Sequence, residues 1–313
     1  MHTIGVDIGG TKIAAGVVSD AGDVVVETRR DTPATDVQAI EAAVVDAVTE
    51  LRALHEVEAV GVAAAGFVDA TRSVVTFAPN LAWRDEPLRA DLEARLGLPV
   101  VVENDANAAA WGEFAHGTGR EVDDMVLVTI GTGLGGGIVL DGRLLRGAAG
   151  FAGELGHLRV VPDGYQCGCG NRGCWEQYAS GRALVREARE AARSGGPMAA
   201  RLLELAGGDP EAIEGPMVTL AAQEGDLASQ ELLADLGRWI GEGAASVMAV
   251  LDSAMIVVGG GVSAAGDLLL EPARSAFRRQ LTARGHRPEP RIELARLGND
   301  AGMIGVADLA RRR

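Results

Sequence analysis

The sequence predicts a duplicated α/β protein: two related halves, each built on a sheet, facing each other across a cleft. Three observations carry this. Each half opens with strand, glycine turn, strand: Thr3–Ile8, Gly9–Lys12 and Ile13–Val18 in the first, Met125–Ile130, Gly131–Gly136 and Gly137–Leu140 in the second. Each half closes where a strand becomes a helix, on Asn104-Asp105-Ala106 and on Asn299-Asp300-Ala301. The order of elements, βββαβαβα, agrees between the halves once one inserted segment is set aside. A cleft between such halves is the usual home of a small ligand.

The elements follow from local chemistry. Asp20-Ala21-Gly22 turns the chain into Val24–Thr28, so the first three strands are joined by tight turns. Val37, Ile40, Val44, Val48 and Leu51 recur at spacings of three and four, the period of a helix. Strand Ala59–Ala64, a loop through Asn80 and helix Glu86–Leu96, with Pro87 in its first turn, come next. Strand Val100–Val102 runs into Glu103-Asn104-Asp105-Ala106-Asn107 and a helix through Phe114. In the second half, Asp141-Gly142 is a hairpin turn. Helix Ser180–Ala192 ends at the break Ser194-Gly195-Gly196-Pro197, and a helical stretch starts at Met198. The long helix Leu227–Leu251 carries Gly237, Gly241 and Ala245 four apart, a stripe that lets another helix approach closely. Strand Met255–Val258, Gly259–Gly261, helix Asp267–Leu281, strand Arg291–Leu294 and a terminal helix complete the chain.

Composition narrows the function. The 313 residues carry 29 Lys and Arg against 44 Asp and Glu, a net charge of −15, which argues against nucleic acid and anionic membrane as partners. The start, MHTIGVDIGG, lacks the basic-then-apolar order of a signal peptide, and the longest apolar run, near Ala59–Val68, is too short to span a bilayer. The expectation is a cytoplasmic protein.

The inserted segment, Gly153–Glu176, holds all three cysteines, Cys167, Cys169 and Cys174, with His157 ten residues upstream of the first. Three thiolates and an imidazole form a Cys3His set, the ligand count of a structural zinc site. The competing reading is a disulfide plus a spare thiol, which the odd count and the strain of a Cys-x-Cys bridge disfavour. Glu154 and Glu176 bracket the cluster, and a metal knot that fixes its ligands holds such neighbours rigidly.

The glycine loops read as phosphate cradles. Gly9-Gly10-Thr11-Lys12 is no Walker loop, because a strand follows it and not a helix; it is a hairpin tip whose N–H groups form a nest beside Lys12 and the Thr11 hydroxyl. Asp7, at the end of the preceding strand, is placed to hold Mg2+ through water. Gly131-Thr132-Gly133-Leu134-Gly135-Gly136 matches the dinucleotide fingerprint in letters, yet strand and hairpin follow it, so a second phosphate nest is the better interpretation. Gly259-Gly260-Gly261 lets a nucleotide lie flat against the backbone. Asp105 is the candidate general base, kept ionised by its place at a helix start; an ordinary helix N-cap is the alternative reading of the same residue.

Asp7-Ile-Gly-Gly-Thr-Lys12, Glu103-Asn-Asp-Ala-Asn107, Gly131-Thr-Gly133, Gly153-Glu-Leu-Gly-His157 and Cys167-Gly-Cys-Gly-Asn-Arg-Gly-Cys174 together resemble the ROK family of repressors, open reading frames and sugar kinases, over nearly the whole chain. The resemblance implies the actin-like, ribonuclease H-like fold, with a smaller lobe of residues 1–107 plus 299–313 and a larger lobe of 108–298 that carries the zinc insert. Within the family the sequence looks most like bacterial glucokinases. That implies glucose and ATP as substrates, with Mg2+ and a structural zinc, and Asp105 as the base on the sugar 6-hydroxyl. It also implies Gly66, Asn80, Asn104, Gly137, Glu154, His157 and Glu176 around the sugar, and a homodimer or homotetramer. The other readings are a kinase for another hexose or an N-acetylated hexosamine, polyphosphate as donor, a sugar-binding regulator without a DNA-binding domain, and an actin-like filament protein. A regulator's helix-turn-helix would precede the first phosphate motif, which begins here at residue 5.

Overall fold

The computed structural model describes residues 2–195 and 199–312. The expected break at Gly196-Pro197 and the helical start at Met198 lie outside the described residues. The chain divides into two compact units: Met1–Leu127, Gly136–Gly153 and Arg296–Arg313 form unit 1, and Val128–Gly135 with Glu154–Ala295 form unit 2.

Unit 1 opens with β1 (Thr3–Ile8), β2 (Lys12–Val18), β3 (Val24–Asp31), α1 (Val37–Arg52) and β4 (Val60–Ala64). Then come β5 (Phe67–Val68), β6 (Val75–Phe77), β7 (Arg84–Glu86), α2 (Leu88–Leu96), β8 (Val100–Asn104) and α3 (Asp105–Ala115). Its main sheet has the order β3-β2-β1-β4-β8, antiparallel through the first three strands and parallel from β1 to β8. The period of two sorts the side chains. Ile4, Val6, Ile8, Val60, Val62 and Ala64 enter one core with Ile40, Val44, Val48, Leu88 and Leu92 from α1 and α2. The alternate positions are small. A Cβ on Gly5 would lie 2.0 Å from the Met303 carbonyl oxygen, and one on Gly61 2.0 Å from that of Val306. The backbone of α9 (Ala301–Arg311) therefore rests directly on the opposite face of the sheet.

The stretch expected as a loop through Asn80 contains the three-stranded sheet β5-β6-β7. Strands of two or three residues show no readable period, and their turn is made by one side chain: Asp69 accepts from the N–H groups of Thr71, Ser73 and Val74. Helix α2 begins at Leu88 and not at Glu86, because Arg84–Glu86 pairs with β6 and Pro87 sits at the N-cap.

The later elements are β9 (Met125–Ile130), β10 (Leu134–Leu140), β11 (Arg143–Leu144), α4 (Gly181–Arg193), α5 (Ala200–Leu205), α6 (Gly215–Gln223), α7 (Leu227–Leu251), β12 (Met255–Gly259), α8 (Asp267–Gln280) and β13 (Arg291–Leu294). The second sheet has the order β11-β10-β9-β12-β13. Asp141 and Gly142 both have positive φ, 50° and 69°, as the expected hairpin turn requires. Strand β10 starts at Leu134, three residues before the expected Gly137. The small-residue stripe of α7 is spent on α8: a Cβ on Gly237 would meet the Leu269 carbonyl oxygen at 2.5 Å, and one on Gly241 that of Ala273 at 2.1 Å.

These units differ from the lobes expected at 1–107 plus 299–313 and 108–298. Helix α3, β10 from Gly136 onward and β11 belong to unit 1. The reason lies in α3 and α9: a Cβ on Gly112 would lie 2.3 Å from the Ala301 carbonyl oxygen, so the two helices are in backbone contact.

Candidate active site

Unit 1 holds the candidate base. At the end of β8, Asn104 is still extended, and its side-chain oxygen accepts from the Asn107 N–H at 2.9 Å, which makes it the N-cap of α3. Asp105 is therefore not the cap. Its Oδ1 accepts from the Ala106 N–H at 2.9 Å and from Asn104 Nδ2 at 3.0 Å, and Asn104 Nδ2 also donates to the Gly66 carbonyl at 3.1 Å. Burial raises the Asp105 pKa and those hydrogen bonds only partly oppose it. This corrects the expectation from the helix dipole alone: desolvation dominates, and it makes the carboxylate a stronger base.

The residue before this pair, Glu103, is fully buried. Arg72 Nε lies 2.9 Å and Arg146 Nε 2.8 Å from its Oε2, while its Oε1 accepts from the Asn104 N–H at 3.0 Å. Two arginines from two loops thus anchor the strand end that carries the base. Neither was singled out in the sequence, since nothing local marks residues 31 and 43 positions away as partners of Glu103.

Asp7 is raised to about 7, first by burial and then by the negative charge of Asp105. The hairpin tip beside it is partly self-satisfied: the Gly9 N–H donates to the Lys12 carbonyl at 2.9 Å, and the Gly9 carbonyl accepts from Thr32 Oγ1 at 2.8 Å. That leaves Gly10 and Thr11 as the tip and Thr11 and Lys12 exposed. Asn80 is exposed next to Gly10, where an added Cβ would lie 3.4 Å from Asn80 Cβ. Gly137 packs against α3; a Cβ there would meet Ala110 Cβ at 2.4 Å.

Unit 2 holds the knot. His157, Cys167, Cys169 and Cys174 bring one ligand atom each to within 4.8 Å of one another. The Cys169–Cys174 Sγ and Cys167 Sγ–His157 Nδ1 separations are both 3.6 Å. Ligands about 2.3 Å from a tetrahedral zinc lie about 3.8 Å apart, so the set fits that ion. The separations are those of free cysteines and not of a disulfide. Glu176 is buried beside the knot, with Oε1 3.0 Å from Cys167 Sγ. Glu154 is exposed, 4.0 Å from His157 Nε2.

Unit 2 also contains a cavity of about 1000 Å³ lined by Gly131, Thr132 and Gly261, by one face of α4 and by α6. Cβ atoms built on Gly131 and Gly261 meet nothing within 4 Å, so the backbone there is bare to the cavity. The Gly131 N–H is spent within its own loop, on the Gly133 carbonyl at 3.0 Å. Gly260, with φ 85°, turns the chain against Ile130, where any Cβ would lie 2.5 Å from the carbonyl oxygen. Val185, Pro216, Leu220 and Val262 give the cavity apolar walls suited to a nucleobase. Helices α4 and α6 were not assigned to this role from the sequence. The available signal was Arg182, Arg186, Arg189 and Arg193, spaced along one helix face.

These features define an α/β protein of the actin-like, ribonuclease H-like class, with a Cys3His knot in its second unit. The chain belongs to the ROK family, whose model matches residues 3–313. It is 51% identical over 309 residues to a glucokinase of Streptomyces coelicolor, covering 99% of this chain and 97% of that one. An N-acetylmannosamine kinase of Salmonella typhi is 35% identical over 317 residues, covering 99% of this chain and 98% of that one. Among solved structures, a ROK family glucokinase from Streptomyces griseus in complex with glucose and AMPPNP superposes with a TM-score of 0.92 at 51% identity, covering both chains fully.

Proposed function

We propose that the protein is a glucokinase, transferring the terminal phosphoryl group of ATP to the 6-hydroxyl of glucose. The observation that carries the reading is the Asn104-Asp105 pair: asparagine takes the capping duty and leaves a desolvated carboxylate for the proton. Asp105 accepts the hydroxyl proton as the sugar oxygen bonds to the γ-phosphorus and the bond to the β-phosphate oxygen breaks, releasing ADP. A positioned base contributes about 10²–10⁴-fold. The relatives that carry the glucokinase name, and the one solved with glucose and AMPPNP, support substrate and donor.

The other residues take the roles the family resemblance implies. Asn104, Asn80, Gly66, Gly137, Glu154, His157 and Glu176 take the remaining sugar hydroxyls. Gly9, Gly10, Thr11 and Lys12, with Gly131, Thr132, Gly133 and Gly259–Gly261, hold the nucleotide. Asp7 would hold Mg2+, which would supply charge neutralisation for the phosphates. His157, Cys167, Cys169 and Cys174 hold zinc, which supplies rigidity and no redox chemistry. Deprotonated as a ligand, Cys167 cannot donate to Glu176, whose Oε1 keeps the Gln177 amide at 3.3 Å and remains an acceptor for a sugar hydroxyl.

Among the described residues no helix is long and apolar enough to cross a membrane, and the reading places the enzyme in the cytoplasm. A homodimer or homotetramer is proposed on the family resemblance alone, since the glycines of α7 are used by α8. The deciding experiment is a phosphorylation screen over glucose, mannose, fructose and N-acetylated hexosamines, with ATP and with polyphosphate. Glucose with ATP should give the highest kcat/KM. A higher value for N-acetylmannosamine would move the assignment to the second kinase group named above, and transfer from polyphosphate alone would remove ATP as donor.

A further inference from the structure

We propose that Arg182 is the side chain that reads the terminal phosphates of the nucleotide, and that it is a catalytic residue not counted in the mechanism above. The inference rests on the reading of the unit 2 cavity as a nucleotide site. Four arginines on one face of α4 line that cavity: Arg182, Arg186, Arg189 and Arg193. Three are already spent. Arg186 donates to the Gln177 carbonyl at 2.9 Å and to Glu187 at 3.0 Å, and lies over the Tyr165 ring at 4.1 Å. Arg189 gives two bonds to the Ile213 carbonyl, at 3.2 and 3.1 Å, and pairs with Glu211 at 3.6 Å. Arg193 pairs with Glu211 and Glu190.

Arg182 is different. Its main-chain N–H and its Nε both reach the Thr132 carbonyl, at 3.3 and 3.1 Å, which pins the stem of the side chain to the glycine loop. The outer nitrogen Nη2 is ion-paired with Glu176 Oε2 at 3.7 Å, too long for a hydrogen bond, and the side chain is 64% exposed, more than that of the other three. The start of α4 cannot do this work with its backbone. The N–H groups of Gly181 and Arg182 go to the carbonyls of Gly131 and Thr132, and that of Ala183 goes to the Ser180 hydroxyl. A phosphate at this end of the cavity therefore meets a side chain, and a planar guanidinium offers it a two-pronged donor. Glu176 lies beside the same guanidinium and beside Cys167, so Arg182 marks the end of the cavity nearest the proposed sugar carboxylate. Charge that accumulates on the leaving diphosphate is stabilised there.

The test is a calorimetric series of adenosine, AMP, ADP and AMPPNP on the intact protein, with Arg182→Met and Arg182→Lys. The wild type should prefer ADP to adenosine strongly. Arg182→Met should cut that preference about 10-fold or more while adenosine affinity stays within about twofold, and lysine should restore part of it. An unchanged ADP-to-adenosine ratio in Arg182→Met overturns the inference, and so does an equal loss for both ligands, which would mark a structural role. Should Arg182→Met not fold, Arg182→Gln carries the same comparison. A wild type that binds ADP over adenosine yet phosphorylates no sugar would sink the kinase reading and leave this one standing.

Discussion

Asn104-Asp105-Ala106 and Asn299-Asp300-Ala301 are the same tripeptide at the same kind of junction, and both lie in unit 1. Their geometry is not the same. Ahead of α3 the chain arrives extended, with Asn104 at φ −62° and ψ 143°, so its side chain can fold back and cap. Ahead of α9 the chain arrives through a 3-10 turn, Gly298–Asp300, with Asp300 at φ −90° and ψ −4°. A residue already near helical geometry cannot aim its side chain at the N–H groups that follow, and Asp300 makes no capping bond. Asp300 occupies the N-cap position of α9 without doing the job. The backbone entering the motif, extended in one case and coiled in the other, decides whether a side chain can cap the helix that follows.

The sharpest way to break this comparison is Asp105→Asn. It should keep the fold and much of the glucose affinity while lowering kcat by about 10²-fold or more, measured in steady-state kinetics. A kcat within a few-fold of wild type would remove Asp105 from the chemistry.

Glu103 is the next largest effect, because its counterpart, Gly298, has no side chain at all. Glu103→Ala removes the carboxylate shared by Arg72 and Arg146, leaving Arg146 only the Ala70 and Asp69 carbonyls, and should cost about 3 kcal/mol in urea unfolding. Loss below about 1 kcal/mol would mean that Arg72 and Arg146 find water instead.

Asp7 gives a pH signature that only the first junction can produce, since Asp105 helps raise it. The folded protein holds this proton up to about pH 7, whereas the unfolded chain releases it near the ordinary carboxyl value of 3.8. The folded state binds more protons in that window, so this contribution to stability is lost as pH rises from about 4 to about 7. Asp7→Asn should melt progressively higher than wild type across that range, with the gap constant above it. A gap that does not vary with pH would show that Asp7 ionises normally.

The smallest effect is expected at the second junction. Asp300→Asn should shift stability by no more than about 0.5 kcal/mol and leave kcat within about twofold, there being no capping bond to lose. Loss of turnover in this variant, with Asp105→Asn active, would reverse the assignment.

Much of this was legible in the sequence, and the reason is locality. The helix Leu227–Leu251 was bounded correctly because Asp226 caps it, accepting from the Ser229 N–H at 2.9 Å, and because its apolar spacing is regular. The four knot ligands fall within eighteen residues, so their spacing alone named the set. What escaped depends on distant pairs. Glu103 needs Arg72 and Arg146, Arg182 needs Thr132, and strands as short as β5 and β6 exist because of one turn at Asp69. The boundary of unit 1 escaped for the same reason: α3 belongs with it through contact with a helix made far later in the chain.

That last contact has a consequence for the order in which the molecule is made. On the ribosome, β1, β4 and α3 emerge early, yet Gly5 and Gly61 meet the backbone of α9, and α3 reaches only the neighbouring Ala63 through Ala108. Every residue of unit 2 is synthesised in the interval. The nascent first unit therefore waits with a shallow, side-chain-poor strip of strand exposed. With almost no large apolar groups on that strip, the unfinished chain presents little for neighbouring chains to grip during the wait.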